Sequence, residues 1–107
     1  MDYDREIAIV AEFQDDKRII GVVRIIPDLA GKTGEFAIMV GDEWQGLGLG
    51  SKLMDIITEV AQDLKLMKIH SYVSRANTKM IRMCTKKGFE TGPIDEYVIS
   101  MSKKLSP

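Results

Sequence analysis

The residues best able to do chemistry form one run, Gln45-Gly46-Leu47-Gly48-Leu49-Gly50, with Ser51 behind it. The run follows the apolar stretch Phe36-Ala37-Ile38-Met39-Val40 and opens an amphipathic stretch from Leu49 to Leu64. A strand that enters a glycine-rich turn and then a helix start is a device for holding a phosphate. The first N–H groups of a helix have no internal partner, and the helix dipole adds roughly half a positive charge there. An anionic oxygen satisfies both. Glycines at alternate positions allow φ > 0 and remove the β-carbons that would block a close approach. No lysine or arginine stands among them, so the amides are expected to carry the anion largely unaided.

Spacing excludes two phosphate templates. A P-loop needs Gly-Lys-Ser/Thr, whereas the order here is Gly50-Ser51-Lys52. A dinucleotide fingerprint counted from Gly46 and Gly48 requires Gly or Ala where Ser51 stands. Six residues alone also fit a helix-entry turn with no ligand, so the flanking elements must decide.

Those elements are legible. Arg5 to Phe13 and Arg18 to Ile26 are apolar on both faces and predict strands covered on both sides. The polar gap Gln14-Asp15-Asp16-Lys17 between them argues an antiparallel hairpin. Pro27 to Gly34 reads as a loop at a sheet edge. Glu35 to Val40 is a third strand, with Phe36, Ile38 and Val40 on one face and Glu35, Ala37 and Met39 on the other. Leu49, Leu53, Ile57, Val60, Ala61 and Leu64 recur at helical intervals, and Met54, Met67, Met80 and Met83 read as flexible core packing. Lys68 to Ser74 is a fourth strand, so the intervening helix predicts a right-handed crossover. Asn77 to Lys87 is a second helix, capped by Asn77 and ended by Gly88. A short strand from Phe89, interrupted at Thr91-Gly92-Pro93, and a last one from Tyr97 to Lys104 complete a mixed α/β (α+β) sheet carrying helices.

Bulk properties bound the function. With 107 residues, 45% hydrophobic and 29% charged, the chain is expected to be one domain, 1–107, with an ordinary core. A net charge of -1 gives no general pull toward nucleic acid. No apolar run approaches the ~18 residues of a membrane span, and the N-terminus lacks the apolar stretch of a signal peptide. The single Cys84 excludes an internal disulfide and agrees with a reducing cytoplasm. One histidine without a cysteine pair leaves no metal site to expect.

Taken together, the motifs resemble the GNAT superfamily of acyl-CoA-dependent N-acyltransferases. Gln45-x-x-Gly48-x-Gly50, five residues after Val40, matches the family's Gln/Arg-x-x-Gly-x-Gly/Ala loop. Asn77 and Lys87-Gly88-Phe89 are similar to the family's Asn-x-x-Ala-x-x-Leu-Tyr-x-x-x-Gly-Phe. Asp2-Tyr3-Asp4-Arg5-Glu6, Glu35-Phe36-Ala37 and Asp42-Glu43-Trp44-Gln45-Gly46 further resemble the GNAT domain of bacterial Pat-type protein lysine acetyltransferases, often fused to acyl-CoA synthetase-like modules. The resemblance runs from about Asp4 to the end of the chain. The family's first strand and first two helices have no counterpart in it.

The resemblance implies acetyl-CoA as co-substrate and direct attack by a primary amine in a ternary complex. Protein lysine is the favoured acceptor. A small-molecule amine enzyme and a catalytically weak acyl-CoA-binding module are the alternatives. Gln45, Gly46, Leu47, Gly48, Leu49, Gly50 and Ser51 are implied as diphosphate contacts, and the backbone of Ile38, Met39 and Val40 as the partner of the pantetheine amides. Glu35 is the expected general base, against the plain reading of a glutamate at a strand end. Asn77 is implied as a coenzyme contact, although an N-cap needs no ligand. Cys84 occupies the position of the family's tyrosine and either touches the coenzyme sulfur or fills the core. Without the acceptor wall of the missing segment, the sheet flank left exposed is expected to invite self-association.

Overall fold

The computed structural model describes residues 5–105, and the Asp2 to Asp4 part of the Pat-like phrasing lies outside them. Six strands form one sheet: β1 (Ile7–Glu12), β2 (Ile19–Pro27), β3 (Thr33–Val40), β4 (Lys68–Ser74), β5 (Glu90–Ile94) and β6 (Val98–Lys104). Two helices, α1 (Leu49–Asp63) and α2 (Thr78–Lys86), lie before and after β4. The strand order is β1-β2-β3-β4-β6-β5. Every neighbouring pair is antiparallel except β3 and β4, which the α1 crossover makes parallel.

One core lies on the helix side. Val23, Ile25, Phe36, Ile69, Val73 and Met101 come from the sheet, and Leu53, Met54, Ile57, Ala61 and Cys84 from the helices. Phe36 and Phe89 pack at 5.5 Å between centroids. Gly34 is a packing requirement, because a β-carbon there would stand 2.9 Å from Leu66 Cδ1 and 3.0 Å from Ile25.

Three expectations need correction. β1 is not covered on both sides: Ile7, Ile9 and Ala11 pack inward while Ala8 and Val10 are exposed. Residues 28–32 are not a sheet-edge loop but the tight turn of the β2–β3 hairpin. Asp28 closes that turn by accepting from Lys32 N at 2.9 Å and from the Thr33 hydroxyl at 3.1 Å. Met67, expected in the core, is exposed.

Candidate functional site

The sheet has a notch at its centre. β3 pairs with β4 only through Thr33↔Lys68, Gly34↔Ile69 and Glu35↔His70. Yet β3 stays paired to β2 as far as Val40, and β4 to β6 as far as Ser74. The two parallel strands therefore diverge beyond Glu35, leaving the facing edges of residues 36–40 and 71–74 without a sheet partner. Unpaired strand edges at the carboxyl ends of parallel strands are where α/β sheets take ligands.

The glycine turn stands at the mouth of this notch. A 3-10 turn, Asp42–Trp44, carries the chain out of β3, and Trp44 packs against Phe13 of the first hairpin with ring centroids 5.0 Å apart. Gln45 ties the turn down by donating from Nε2 to Val40 O at 3.1 Å and Asp42 Oδ1 at 3.3 Å. Gly46 and Gly48 have φ of 80° and 86°, a left-handed backbone that favours glycine. Gly48 is the N-cap of α1, and no side chain caps the helix. The first intrahelical bond runs from Lys52 N to Gly48 O, so the N–H groups of Leu49, Gly50 and Ser51 have no acceptor among the described residues. Three orphan donors at the head of a 15-residue helix are a ready anion site.

A cleft of about 490 Å³ opens on these amides. One wall is Ile38, Val40, Gln45, Gly46, Gly48, Gly50 and Ser51; the other is α2, through Asn77, Met80 and Met83 with Lys79, Arg82, Lys86 and Lys87. The cations that the glycine run lacks are supplied across the cleft by α2. Their three- and four-residue spacing was visible in the sequence, but only the packing reveals which wall they face. Met80 and Met83, read as core filler, also line the cleft; a β-carbon at Gly50 would lie 3.8 Å from Met83 Sδ.

The other expected residues separate into groups. Asn77 lines the cleft and also caps α2, accepting from Met80 N at 3.2 Å. Leu49 turns its side chain inward toward Gly21, and Leu47 stands 70% exposed at the tip of the turn. Met39 projects from the face opposite the helices. Glu35 is on that same face, half-buried, at the last position where β3 and β4 still pair. Its register partner His70 sits edge-on to Tyr72 at 5.7 Å, with burial holding the imidazole below its ordinary range. Cys84 is not brought to the cleft: it is fully buried in the core, and desolvation pushes its thiol up to about 11. Among the described residues no three metal-ligating side chains gather, and no helix is long and apolar enough to cross a membrane.

Comparison with known proteins gives concordant results. The family described as Acetyltransferase (GNAT) matches residues 1–89. A Pseudomonas aeruginosa protein named Acetyltransferase PA5475 is 31% identical over 91 residues, 83% of this chain and 49% of its own length. The GNAT domain of S. lividans PAT superposes with a TM-score of 0.83 at 25% identity, over 94% of this chain and 61% of that one. Mutant forms of the spermidine/spermine N-acetyltransferase SpeG from Vibrio cholerae superpose with a TM-score of 0.79 at 25% identity, over 94% and 68%. The chain thus spans about half the length of this curated relative.

Proposed function

This chain belongs to the GNAT acetyltransferase family, and from that premise we propose that it transfers an acetyl group from acetyl-CoA to a primary amine, with a protein lysine as the favoured acceptor. One observation carries the reading: an uncapped helix N-terminus and a cationic helix share one cleft, which continues into an unpaired strand edge. The bound coenzyme supplies the activated acyl group. The residues present fit it, since orphan amides and cations suit a diphosphate and the free edge of residues 38–40 suits amide groups.

The rest is work for the chain's own groups. Gly48 and the amides of Leu49, Gly50 and Ser51 hold the diphosphate, and Gln45 holds the turn that presents them. Ile38, Met39 and Val40 offer backbone to the pantetheine arm. An amide near Met39 or Val40 stabilises the charge that develops on the carbonyl oxygen; elsewhere one such donor is worth about 3 kcal/mol. Glu35, at the apex of the notch, removes the proton from the attacking ammonium. The C–N bond forms as the C–S bond breaks.

With Cys84 buried, the family's tyrosine donor has no substitute at that position, and the thiolate leaves to be protonated by solvent. That feature also favours a second reading, a catalytically weak acyl-CoA-binding module. The likeness to a PAT domain supports protein lysine, and the likeness to a spermidine/spermine enzyme keeps the small-amine alternative in play.

Thiol release from acetyl-CoA, measured alone, with a lysine-rich protein and with a free polyamine, separates the three. Release only with protein supports the favoured acceptor, release only with polyamine replaces it, and binding without turnover supports the module. Glu35→Gln tests the base. A rate at neutral pH within twofold of the parent, with coenzyme affinity unchanged, removes Glu35 from that role.

A further inference from the structure

We infer that Lys79, Arg82 and Lys86 form a reader for the phosphate on the coenzyme's ribose, so that the site distinguishes coenzyme A from its dephospho form. The inference rests on the acyl-CoA reading above and adds to it a specificity device on the opposite wall.

The three side chains are spaced by three and four residues, which places them on one face of α2 over roughly 10 Å of helix at 1.5 Å per residue. All three line the cleft that holds the α1 amides. None makes an ion pair among the described residues. Lys87, the fourth cation on that wall, is different: it is committed to Asp55 Oδ1 at 2.8 Å and is half-buried. An ordinary solvated helix face does not account for the arrangement. Like charges at these intervals destabilise a helix. Lys79 stands in the first turn of α2, where the dipole disfavours a cation and no acid is present to offset it. The row is thus held against its own repulsion, facing a cleft.

Coenzyme chemistry supplies the missing anion. The diphosphate bridge needs a short, closely approached donor set, which the three orphan amides provide. A phosphomonoester carries more charge, about −1.5 to −2 at neutral pH, and projects from the ribose rather than along the bridge. It calls for long side chains that can reach it, which are Arg82, whose guanidinium can fork onto two oxygens, and the two lysines as point charges. The two anion sites on opposite walls therefore correspond to two chemically different phosphates on one ligand.

The test is calorimetric titration of the protein with coenzyme A and with dephospho-coenzyme A, at low and moderate salt. The parent is expected to bind coenzyme A about tenfold or more tighter, the scale of one lost charge-assisted contact, with the difference shrinking as salt rises. The triple variant Lys79→Gln, Arg82→Gln, Lys86→Gln is expected to bind both ligands alike, near the parent's affinity for the dephospho form. Arg82→Gln alone should fall between. Equal binding of the two ligands by the parent overturns the inference while leaving the coenzyme reading intact. Full discrimination retained by the triple variant overturns it too, since the phosphate would then be read elsewhere. Failure of the folded parent to bind either ligand overturns the coenzyme reading itself.

Discussion

Replacing Gly48 with alanine separates the backbone's part in the site from every other effect. Gly48 has φ 86° and ψ 0°, and a β-carbon there would meet nothing within 4 Å. The substitution therefore costs only the left-handed conformation, about 1–2 kcal/mol for a residue with a β-carbon. The free protein can keep the geometry and lose stability, or relax it and pay when coenzyme restores it. In the first case the midpoint of unfolding falls by about 4–16 °C. In the second, coenzyme A binds about 5–30-fold more weakly. Either way the two losses, in folding and in binding free energy, sum to about 1–2 kcal/mol. Gly50→Ala is the control. Its φ is ordinary and its β-carbon would sit at 3.8 Å from Val40 and Met83, normal contact distances. That change should leave stability unchanged or raise it by up to about 1 kcal/mol from helix propensity; its β-carbon enters the cleft, so stability alone serves as the control. Gly48→Asn should recover much of the loss, because asparagine tolerates this region. Thermal unfolding and coenzyme titration on the three variants give both terms. A sum near zero for Gly48→Ala, or a destabilisation of about 1–2 kcal/mol by Gly50→Ala, refutes the claim that a left-handed N-cap shapes the site.

Other substitutions probe the scaffold around it. Gly34→Ala forces a methyl to 2.9–3.0 Å of Leu66 and Ile25 and should cost about 1–3 kcal/mol in denaturant melts, with coenzyme affinity unchanged. Asn77→Ala removes the acceptor for Met80 N and should destabilise by about 1 kcal/mol, while Asn77→Asp retains the cap. His70, with its proton affinity lowered chiefly by burial, makes the folded state bind fewer protons than the unfolded one just below pH 6.5. Stability should therefore fall as pH drops through that value, and His70→Gln should flatten the slope there. The Asp28 and Asp95 carboxyls, held below the ordinary aspartate range by backbone N–H groups, act only at more acidic pH and leave that window clear. Cys84, buried with its thiol at about 11, should resist thiol reagents at neutral pH until the protein unfolds.

Local rules carried much of the architecture into the sequence. The three- and four-residue recurrence from Leu49 places α1, Lys68 to Ser74 alternates as one buried-face strand, and Asn77 is a cap by type and position. What local rules could not carry is what lies opposite. The apolar outer face of β1 reads as covered because composition records preference and not the presence of a cover; Val10 is 48% exposed. The insertion of β6 between β4 and β5, and the divergence of β3 from β4 after Glu35, are choices among distant partners that no window reveals. The candidate site shows the same division. Its glycines follow from turn chemistry, whereas the cationic wall requires knowing that α2 crosses the mouth of α1. Cys84 shows the converse. Its position in the motif left ligand contact and core filling both open, and the packing around it buries the side chain.

The central claim is that the amides opening α1 hold the coenzyme's diphosphate, and nuclear magnetic resonance of those amides tests it most directly. Titration with coenzyme A should move the N–H signals of Leu49, Gly50 and Ser51 first and furthest, in a saturable manner, with the Gly34 signal at the base of the notch moving least. A folded spectrum whose α1 amides stay in place at millimolar coenzyme A would contradict the account.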